Sequence, residues 1–232
     1  MDCRWALDDP AFGRRAYLEG HIPGAAFLDV ERDLSAPSGA GGRHPLPSAE
    51  AFAAAAARAG IGPGTFVIAY GSLGGAERLW WLLRHFGHGD CAVLGLDSWH
   101  GALAAGEEAA APAVFEPSER TGDTISRDEL AARLNELVVV DARLGARWRG
   151  VPNPVDRVPG RIPGALNLAW NEASADSTRS VPAGEVVAYC GSGVTACVVL
   201  HRLHLAGRDA RLYPGSWSEW EQYPELPVER ST

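Results

Sequence analysis

The chain has 232 residues, of which 46% are hydrophobic and 22% charged, and its formal net charge is −8 at pH 7. A net negative protein is not expected to bind nucleic acid or an anionic membrane as its main partner, and no apolar run reaches the ~20 residues of a membrane-spanning helix. Because the first residues also lack a signal-peptide pattern, we predict a cytoplasmic protein whose cysteines are reduced.

The first half of the chain alternates helical and strand-like stretches. Ser48 is a good N-cap for a helix over the alanine-rich run that ends at Ala59. The apolar run from Phe66 to Tyr70 predicts a strand, which a glycine-rich turn and an apolar helix follow. Residues 104–122 are rich in Ala, Glu, Pro, Ser and Gly, a composition typical of an exposed linker.

The second half of the chain repeats the first. Gly20-His-Ile-Pro-Gly-Ala25 returns as Gly160-Arg-Ile-Pro-Gly-Ala165, and Phe66-Val-Ile-Ala-Tyr70 returns as Glu185-Val-Val-Ala-Tyr189. Short strands that alternate with helices are typical of α/β domains in which helices flank a mostly parallel sheet. Two copies therefore predict two tandem α/β domains, which we place at residues 1–108 and 123–232, with a linker at residues 109–122.

The two copies differ in the segments that they contain. An apolar strand, Leu137–Val140, precedes the Asp-Ala-Arg segment of the second copy, whereas only Met1 precedes the matching Asp2-Cys-Arg4. The first copy has the alanine-rich helix, whereas residues 171–184 of the second copy are polar and show no helical period. We therefore expect the first domain to lack an N-terminal strand and the second domain to lack one helix.

Cys190 lies where the last apolar strand ends, and a Gly-Ser-Gly turn and an apolar helix-like run, Val194–Leu205, follow it. A strand, a tight loop and a helix start point several backbone N–H groups into one concavity, with the positive end of the helix dipole behind it. Such a concavity stabilises a thiolate, the nucleophilic form of cysteine. We interpret Cys190 as an activated nucleophile, and the alternative is an inert buried cysteine at a strand end.

Other chemistries are disfavoured by single positions. A Cys-x5-Arg phosphatase needs an arginine six residues after its cysteine, where this chain has Ala196, and a Gly-x-Ser-x-Gly hydrolase needs a serine at the position of Cys190. We expect no cofactor. We also expect no metal, because the four cysteines at positions 3, 91, 190 and 197 lack the paired spacing of zinc sites.

The segment Cys190-Gly-Ser-Gly-Val-Thr-Ala196 resembles the active-site loop of the rhodanese superfamily, in its 3-mercaptopyruvate sulfurtransferase branch. Further segments that resemble the family lie in its order along nearly the whole chain: Gly20-His-Ile-Pro-Gly-Ala25, Arg43-His-Pro-Leu-Pro47, Trp80-Trp-Leu-Leu-Arg84 and Tyr213-Pro-Gly-Ser-Trp-Ser-Glu-Trp220. The resemblance implies two rhodanese-like domains and transfer of sulfur from 3-mercaptopyruvate or thiosulfate, through a Cys190 persulfide, to a thiol or cyanide. It implies a small-molecule donor, and as acceptor a thioredoxin-like protein or a small thiol.

The resemblance also implies roles for individual residues. Ser192 bonds the sulfur or relays a proton, and His44 faces Ser192, backed by an acid that is either Glu31 or Asp33. The first copy has Gly71 where the second has Cys190, so the first domain is expected to be inactive. The remaining loop residues are expected to surround the sulfur and bind substrate; they are Gly191, Gly193, Val194 and Thr195. Thr195 is also the expected cap of the helix.

The donor that this resemblance favours is 3-mercaptopyruvate. Thiosulfate-preferring relatives place Arg or Lys inside the cysteine loop, whereas this loop is neutral and all 21 basic residues of the chain are arginine. The resemblance assigns Arg147 to the donor carboxylate and Arg157, shifted by about one position, as the second arginine, because arginine binds a carboxylate through two hydrogen bonds. The alternative function is a degenerate, non-enzymatic module that senses sulfur or binds a partner, which the expected missing segments favour.

Overall fold

The computed structural model describes residues 1–231, which divide into two compact units. Unit 1 comprises residues 1–36 and 46–120, and unit 2 comprises residues 37–45 and residues 121 onward. Each unit contains a parallel sheet flanked by helices, so the predicted α/β class is confirmed. The domain limits at residues 108 and 123 stay a prediction. Because the longest helix has 11 residues, no helix within residues 1–231 is long and apolar enough to cross a membrane.

Unit 1 has a three-stranded parallel sheet in the order β1-β2-β3. In chain order its elements are β1 (Asp2–Cys3), α1 (Phe12–Glu19), α2 (Ala49–Arg58), β2 (Val67–Gly71), α3 (Gly75–His85) and β3 (Cys91–Val93). Ser48 caps α2, as predicted, because its side chain accepts a hydrogen bond from Ala51 N–H. The buried face of α2 is Phe52, Ala55 and Ala56, at the spacing of one helical turn.

Unit 2 has a four-stranded parallel sheet in the order β5-β4-β6-β7. In chain order its elements are α4 (Arg127–Ala132), β4 (Val138–Asp141), α5 (Gly145–Trp148), β5 (Leu166–Asn167), α6 (Ala175–Arg179), β6 (Val186–Tyr189), α7 (Ala196–Leu205), β7 (Arg211–Leu212) and α8 (Ser216–Trp220). All four residues of the inner strand β6 are buried, as expected for a parallel strand that is covered on both faces. The core around it contains Ile125, Leu130, Leu137, Val139, Ile162, Ala165, Val187, Tyr189, Tyr213, Trp217 and Trp220.

The two units each contain a short element where the sequence predicts that a segment is missing. Strand β1 has two residues where β4 has four, and it pairs in parallel with β2, Asp2 opposite Tyr70. Helix α6 has five residues where α2 has ten, and the side chains of Ser174 and Ser177 each accept a hydrogen bond from the other residue's backbone N–H. This capping box stabilises a polar turn of helix that apolar periodicity does not reveal. The predicted absence of a helix is therefore wrong, and the predicted absence of a strand is wrong only in that Asp2 and Cys3 themselves form a strand, because Asp2 holds the register position of Asp141 at the end of β4.

Residues 105–120 form neither helix nor strand, yet they pack against the helices of unit 1, to which they belong. Ala113 N–H donates to Ala57 C=O at 3.0 Å, and Arg120 N–H donates to His85 C=O at 2.7 Å. Phe115 is buried with its ring edge-on to Phe52, 5.5 Å between ring centroids. The expectation that this stretch is exposed throughout is therefore wrong at Phe115, because an aromatic ring gains by leaving water.

Gly75 tests the packing of the short strand β1. A Cβ at Gly75 would lie 2.2 Å from Cys3 O, so the first turn of α3 can approach β1 only without a side chain there. We expect Gly75→Ala to lower the free energy of unfolding by about 1–3 kcal/mol, since overpacking forces backbone shifts. Gly89→Ala is the control, because no heavy atom lies within 4 Å of its added Cβ. Equal thermal unfolding of the two variants would contradict this packing.

Candidate active site

Cys190 follows β6 directly and is 1% exposed. Its backbone N–H donates to Ser216 Oγ at 3.1 Å, and its C=O accepts from Trp217 N–H at 3.0 Å. The next carbonyl, of Gly191, accepts from Ser218 N–H at 2.9 Å. The start of α8 therefore supplies hydrogen-bond partners to the backbone where the strand ends, and it holds Cys190 in one position.

The two glycines of the loop serve different purposes. Gly193 has a φ of 83°, the left-handed conformation that glycine adopts without strain, and its N–H donates to Cys190 Sγ at 3.2 Å. Gly191 makes room for two guanidinium groups: a Cβ there would lie 2.8 Å from Arg147 Nη2 and 3.0 Å from Arg43 Nη2. Gly193 thus turns the chain back over the sulfur, while Gly191 admits positive charge beside the loop.

The other two loop residues lead into α7. Val194 is buried, and Thr195 occupies the N-cap position of the helix. The side chain of Thr195 makes no capping hydrogen bond, so the predicted cap is wrong. The reason is conformational, because its φ of −70° and ψ of −15° are already helical, whereas a capping side chain needs an extended backbone.

Cys190 is the cysteine whose surroundings suit an anion. All four cysteines are free. Burial raises the pKa of the Cys3 thiol far above its usual range and raises the pKa of Cys91 to about 11, which keeps both protonated. Cys197 is buried within α7 and donates its S–H to Gly193 C=O at 3.4 Å. The Cys190 sulfur, by contrast, accepts a hydrogen bond from the backbone N–H of Gly193 at 3.2 Å.

Unit 2 places His44 directly against Ser192. His44 Nδ1 lies 2.7 Å from Ser192 Oγ, and both side chains are buried. The segment that carries His44 is bound to α8, because Arg43 N–H donates to Ser218 Oγ at 3.0 Å. Close packing also holds this segment: a Cβ at Gly42 would lie 2.7 Å from Gly215 O. The residues predicted as serine and histidine of a relay are therefore in hydrogen-bond contact.

The two predicted acids differ in their surroundings within unit 1. Asp33 is buried, and its carboxylate forms ion pairs with Arg32 at 2.9 Å and Arg58 at 2.7 Å. It also accepts a hydrogen bond from Asp29 N–H at 2.9 Å. Glu31 is exposed. The carboxylate of Asp33 is therefore committed to the structure of unit 1.

A buried ion cluster lies beside the cysteine loop. Arg147, on α5, donates from Nε and Nη2 to the two oxygens of Asp156, at 2.8 and 2.5 Å. Asp156 also accepts from Arg143 Nη1 at 3.3 Å, and Arg143 forms a second buried ion pair with Asp141 at 2.7 Å. Although burial opposes ionisation, the hydrogen bond and charge of Arg147, with the charge of Arg143, hold the pKa of Asp156 below its usual value.

The second arginine that was predicted to bind a carboxylate, Arg157, does not belong to this buried ion cluster. Arg157 is exposed, whereas its neighbour Asp156 points into the cluster and pairs with Arg147. The arginine that does approach the cysteine loop is Arg43, which donates from Nη2 to Gly191 C=O at 3.3 Å and from Nη1 to Val155 C=O at 3.2 Å.

Three residues of the candidate site have roles that the sequence did not predict. Arg43 stands in the motif Arg43-His-Pro-Leu-Pro47, and Asp156 stands next to the position where a second arginine was expected. The third is Ser216, in the segment Gly215-Ser-Trp217. Arg43 and Ser216 lie inside recognised segments and Asp156 does not, and the role of each depends on partners in other segments of the chain.

The corresponding loop of unit 1 is closed. Gly71 holds the position of Cys190, and a Cβ there would lie 2.7 Å from Cys3 O. Ser72 Oγ donates to Trp5 C=O at 2.6 Å and accepts from Trp5 N–H at 3.0 Å. This loop has no thiol, and its serine binds the local backbone instead.

Among residues 1–231, no group of three or more His, Cys, Asp or Glu side chains could hold a metal ion.

Comparison with known proteins identifies the family. A model described as a rhodanese-like domain matches residues 1–102 and 126–223, so the chain belongs to the rhodanese family and contains two domains of that type. It is 41% identical to a probable 3-mercaptopyruvate sulfurtransferase of Pseudomonas aeruginosa, over 98% of this chain and 90% of that protein. It is 37% identical to a putative thiosulfate sulfurtransferase of Mycobacterium tuberculosis, over 100% of this chain and 90% of that protein.

A solved structure agrees with these sequence relatives. The chain superposes on the crystal structure of the Escherichia coli 3-mercaptopyruvate sulfotransferase SseA with a TM-score of 0.79 and 32% identity, over 94% of this chain and 92% of that one. The predicted fold of two rhodanese-like domains is confirmed.

Ser216 tests how the cysteine backbone is held. Its Oγ accepts from Cys190 N–H and donates to Tyr213 C=O at 2.9 Å, and it is fully buried. We expect Ser216→Ala to lower the free energy of unfolding by about 1–3 kcal/mol, because it leaves a buried N–H without an acceptor. Ser216→Gly should cost less, since Ser216 has a φ of 52° that glycine adopts freely. Denaturant unfolding measures both, and an unchanged stability of the alanine variant would contradict the prediction.

Proposed function

We propose that this chain is a sulfurtransferase that carries sulfur as a persulfide on Cys190. The observation that supports this most directly is the Cys190 sulfur before the start of α7, which accepts a hydrogen bond from Gly193 N–H, next to a residue, Gly191, that two arginines approach. The relatives named as sulfurtransferases cover nearly the whole chain. A non-enzymatic module is not favoured, because these relatives are named as enzymes.

The chemistry proceeds in two transfers. Cys190 thiolate attacks the sulfur of 3-mercaptopyruvate, an S–S bond forms, and the C–S bond breaks with its electron pair moving to carbon. The resulting enolate takes a proton and leaves as pyruvate, while Cys190 holds the persulfide. An acceptor thiolate then attacks the outer sulfur and releases Cys190 as the thiolate. Both resting forms are anionic, so the same backbone N–H and arginine charges stabilise each of them.

Ser192 and His44 provide the proton. Ser192 Oγ donates to the enolate carbon or to the departing group, and His44 returns a proton to Ser192 through their 2.7 Å contact. For the acid behind His44 we favour Glu31, because the carboxylate of Asp33 is paired with Arg32 and Arg58.

The donor that we propose is 3-mercaptopyruvate, with Arg147 binding its carboxylate. The Nη1 group of Arg147 makes no hydrogen bond within residues 1–231, and it faces the Cβ position of Gly191 at 3.4 Å. Thiosulfate is the second candidate, because one relative is named for it. We also propose a thioredoxin-like protein or a small thiol as the acceptor, and a cytoplasmic location.

The central experiment maps the transferred sulfur. The protein is incubated with 3-mercaptopyruvate in the absence of an acceptor. Intact mass and peptide mapping should then place one additional sulfur on Cys190 and none on Cys3, Cys91 or Cys197. Cys190→Ser should abolish transfer, whereas Cys91→Ser, the matched control, should retain it. Additional sulfur on another cysteine, or turnover by Cys190→Ser, would refute the proposal.

Ser192 and His44 should act as one unit. We expect Ser192→Ala and His44→Gln each to lower kcat roughly 10²–10⁴-fold, the usual contribution of acid–base catalysis. The double variant should be no slower than the slower single variant, because either substitution alone already breaks the proton relay. His100→Gln, at an exposed histidine of unit 1, is the control. Strictly additive losses in single-turnover kinetics would contradict a shared role.

The same assay separates the two acids. Glu31→Gln should lower kcat with little change in unfolding temperature, whereas Asp33→Asn should mainly lower the unfolding temperature, because it removes the partner of two arginines. The reverse outcome would assign the acid to Asp33.

The donor assignment depends on Arg147. We expect kcat/KM for 3-mercaptopyruvate to exceed that for thiosulfate, and Arg147→Ala to lower it by the equivalent of about 2–3 kcal/mol, mostly through KM. Arg149→Ala is the matched control, because Arg149 is the exposed arginine two residues further along. Unchanged kinetics in Arg147→Ala, or faster turnover of thiosulfate, would exclude this donor assignment.

A further inference from the structure

Three arginines approach the cysteine loop or its neighbours, and two of them have carboxylate partners. Arg143 pairs with Asp141 and Asp156, and Arg147 pairs with Asp156. Arg43 differs, because its hydrogen bonds go to the backbone carbonyls of Val155 and Gly191 and no carboxylate lies within ion-pair distance in the part of the chain described.

Arg43 is also incompletely satisfied as a hydrogen-bond donor. A guanidinium has five N–H groups, and Arg43 uses two of them. Its Nε is buried and has no hydrogen-bond partner. Buried donors without partners are uncommon, and they point to a ligand or ion that completes the site. Burial, and then the like charge of Arg147, lower the pKa of Arg43, while Asp156, Glu221 and Cys190 act in the opposite direction.

The positions of the two guanidiniums suggest what the ligand is. Arg43 Nη2 and Arg147 Nη2 lie 3.0 and 2.8 Å from the Cβ position of Gly191, the residue after the nucleophile. Asp156 accepts one N–H from Nε and one from Nη2 of Arg147, which leaves the second N–H of Nη2 and both N–H groups of Nη1 for a ligand. A carboxylate that contacts both guanidiniums would receive a hydrogen bond from Arg147 and offset the unpaired charge of Arg43.

We propose that Arg43 is the second arginine that binds the carboxylate of an α-keto acid donor, in the role that sequence analysis assigned to Arg157. The inference rests on the proposed function, because it concerns the same site. It makes the segment at residues 37–45 a determinant of donor choice: Arg43 binds the donor, and the adjacent His44 contacts Ser192.

The test compares donors with and without a carboxylate. In Arg43→Gln, kcat/KM for 3-mercaptopyruvate should fall roughly 10–100-fold, the range of a lost charge-assisted hydrogen bond, and mainly through KM. For 1-mercapto-2-propanone, which has the same thiol and ketone but no carboxylate, the change should be less than about threefold. An equal loss with both donors would overturn the proposal, because Arg43 would then act on the Cys190 sulfur. No loss with either donor would also overturn it.

Binding without turnover provides an independent measurement. In a Cys190→Ser background, titration calorimetry with pyruvate should show affinity reduced roughly 10–100-fold by Arg43→Gln, partly restored by Arg43→Lys, and unaffected by Arg149→Gln. If Arg157→Gln weakens pyruvate binding and Arg43→Gln does not, the second arginine is Arg157 and the proposal fails. If the wild-type chain binds pyruvate through Arg43 but forms no persulfide, the proposed function fails while the assignment of Arg43 stands.

Circular dichroism and thermal unfolding of each variant establish that it is folded. If Arg43→Gln does not fold, Arg43→Lys provides the comparison, because it keeps the charge and loses the planar fork. A lysine variant with wild-type kinetics on 3-mercaptopyruvate and wild-type pyruvate affinity would overturn the proposed two-arginine contact.

Discussion

The site in unit 2 depends on how the backbone of Cys190 and Gly191 is satisfied. A buried strand that ends at a loop leaves N–H and C=O groups without ladder partners, and each unpaired group is costly in an apolar environment. Ser216, Trp217 and Ser218, at the start of α8, provide these partners. The loop can therefore stay buried beside β6, turn at Gly193 and begin α7, with the sulfur under the Gly193 N–H. The position of the sulfur follows from these backbone bonds.

The charges beside the cysteine loop depend on a second buried arrangement. Asp156 lies between Arg143 and Arg147, and Arg143 packs over the ring of Trp217 at 4.7 Å. Breaking a buried ion pair by removing one partner costs about 3–5 kcal/mol, so such a cluster holds its members in defined positions. As a result, one edge of the Arg147 guanidinium is bound by Asp156, while its Nη atoms also approach the cysteine loop at Gly191. Positive charge is thus directed to the loop without a basic residue inside it.

The two units use one architecture with opposite results at the same loop. In unit 1 the position of Cys190 is Gly71, where the backbone carbonyl of Cys3 lies too close for a side chain. Ser72 bonds the backbone of Trp5, and the loop is closed by local contacts. In unit 2 the strand β4 is longer, and the ion cluster and α8 hold the cysteine loop from its sides. A shared fold therefore provides a scaffold, and the chemistry is decided by a few contacts at the end of one strand.

The sequence by itself determined the features that are local in the chain. Alternating apolar runs and the N-cap Ser48 predicted the α/β units, the internal repeat predicted two of them, and the order of strand, Cys190, glycine turn and helix predicted Cys190 as the nucleophile. Local patterns failed where stability comes from elsewhere: β1 is stabilised by pairing with β2, α6 by a serine capping box, and Thr195 has a helical backbone that prevents capping. Only the tertiary structure brought His44 to Ser192 across 148 residues, turned Asp156 rather than Arg157 inward, and placed Arg43 beside Gly191. These contacts join residues that are far apart in the chain, and they are decided by the packing of several elements at once, which no spacing within one segment encodes.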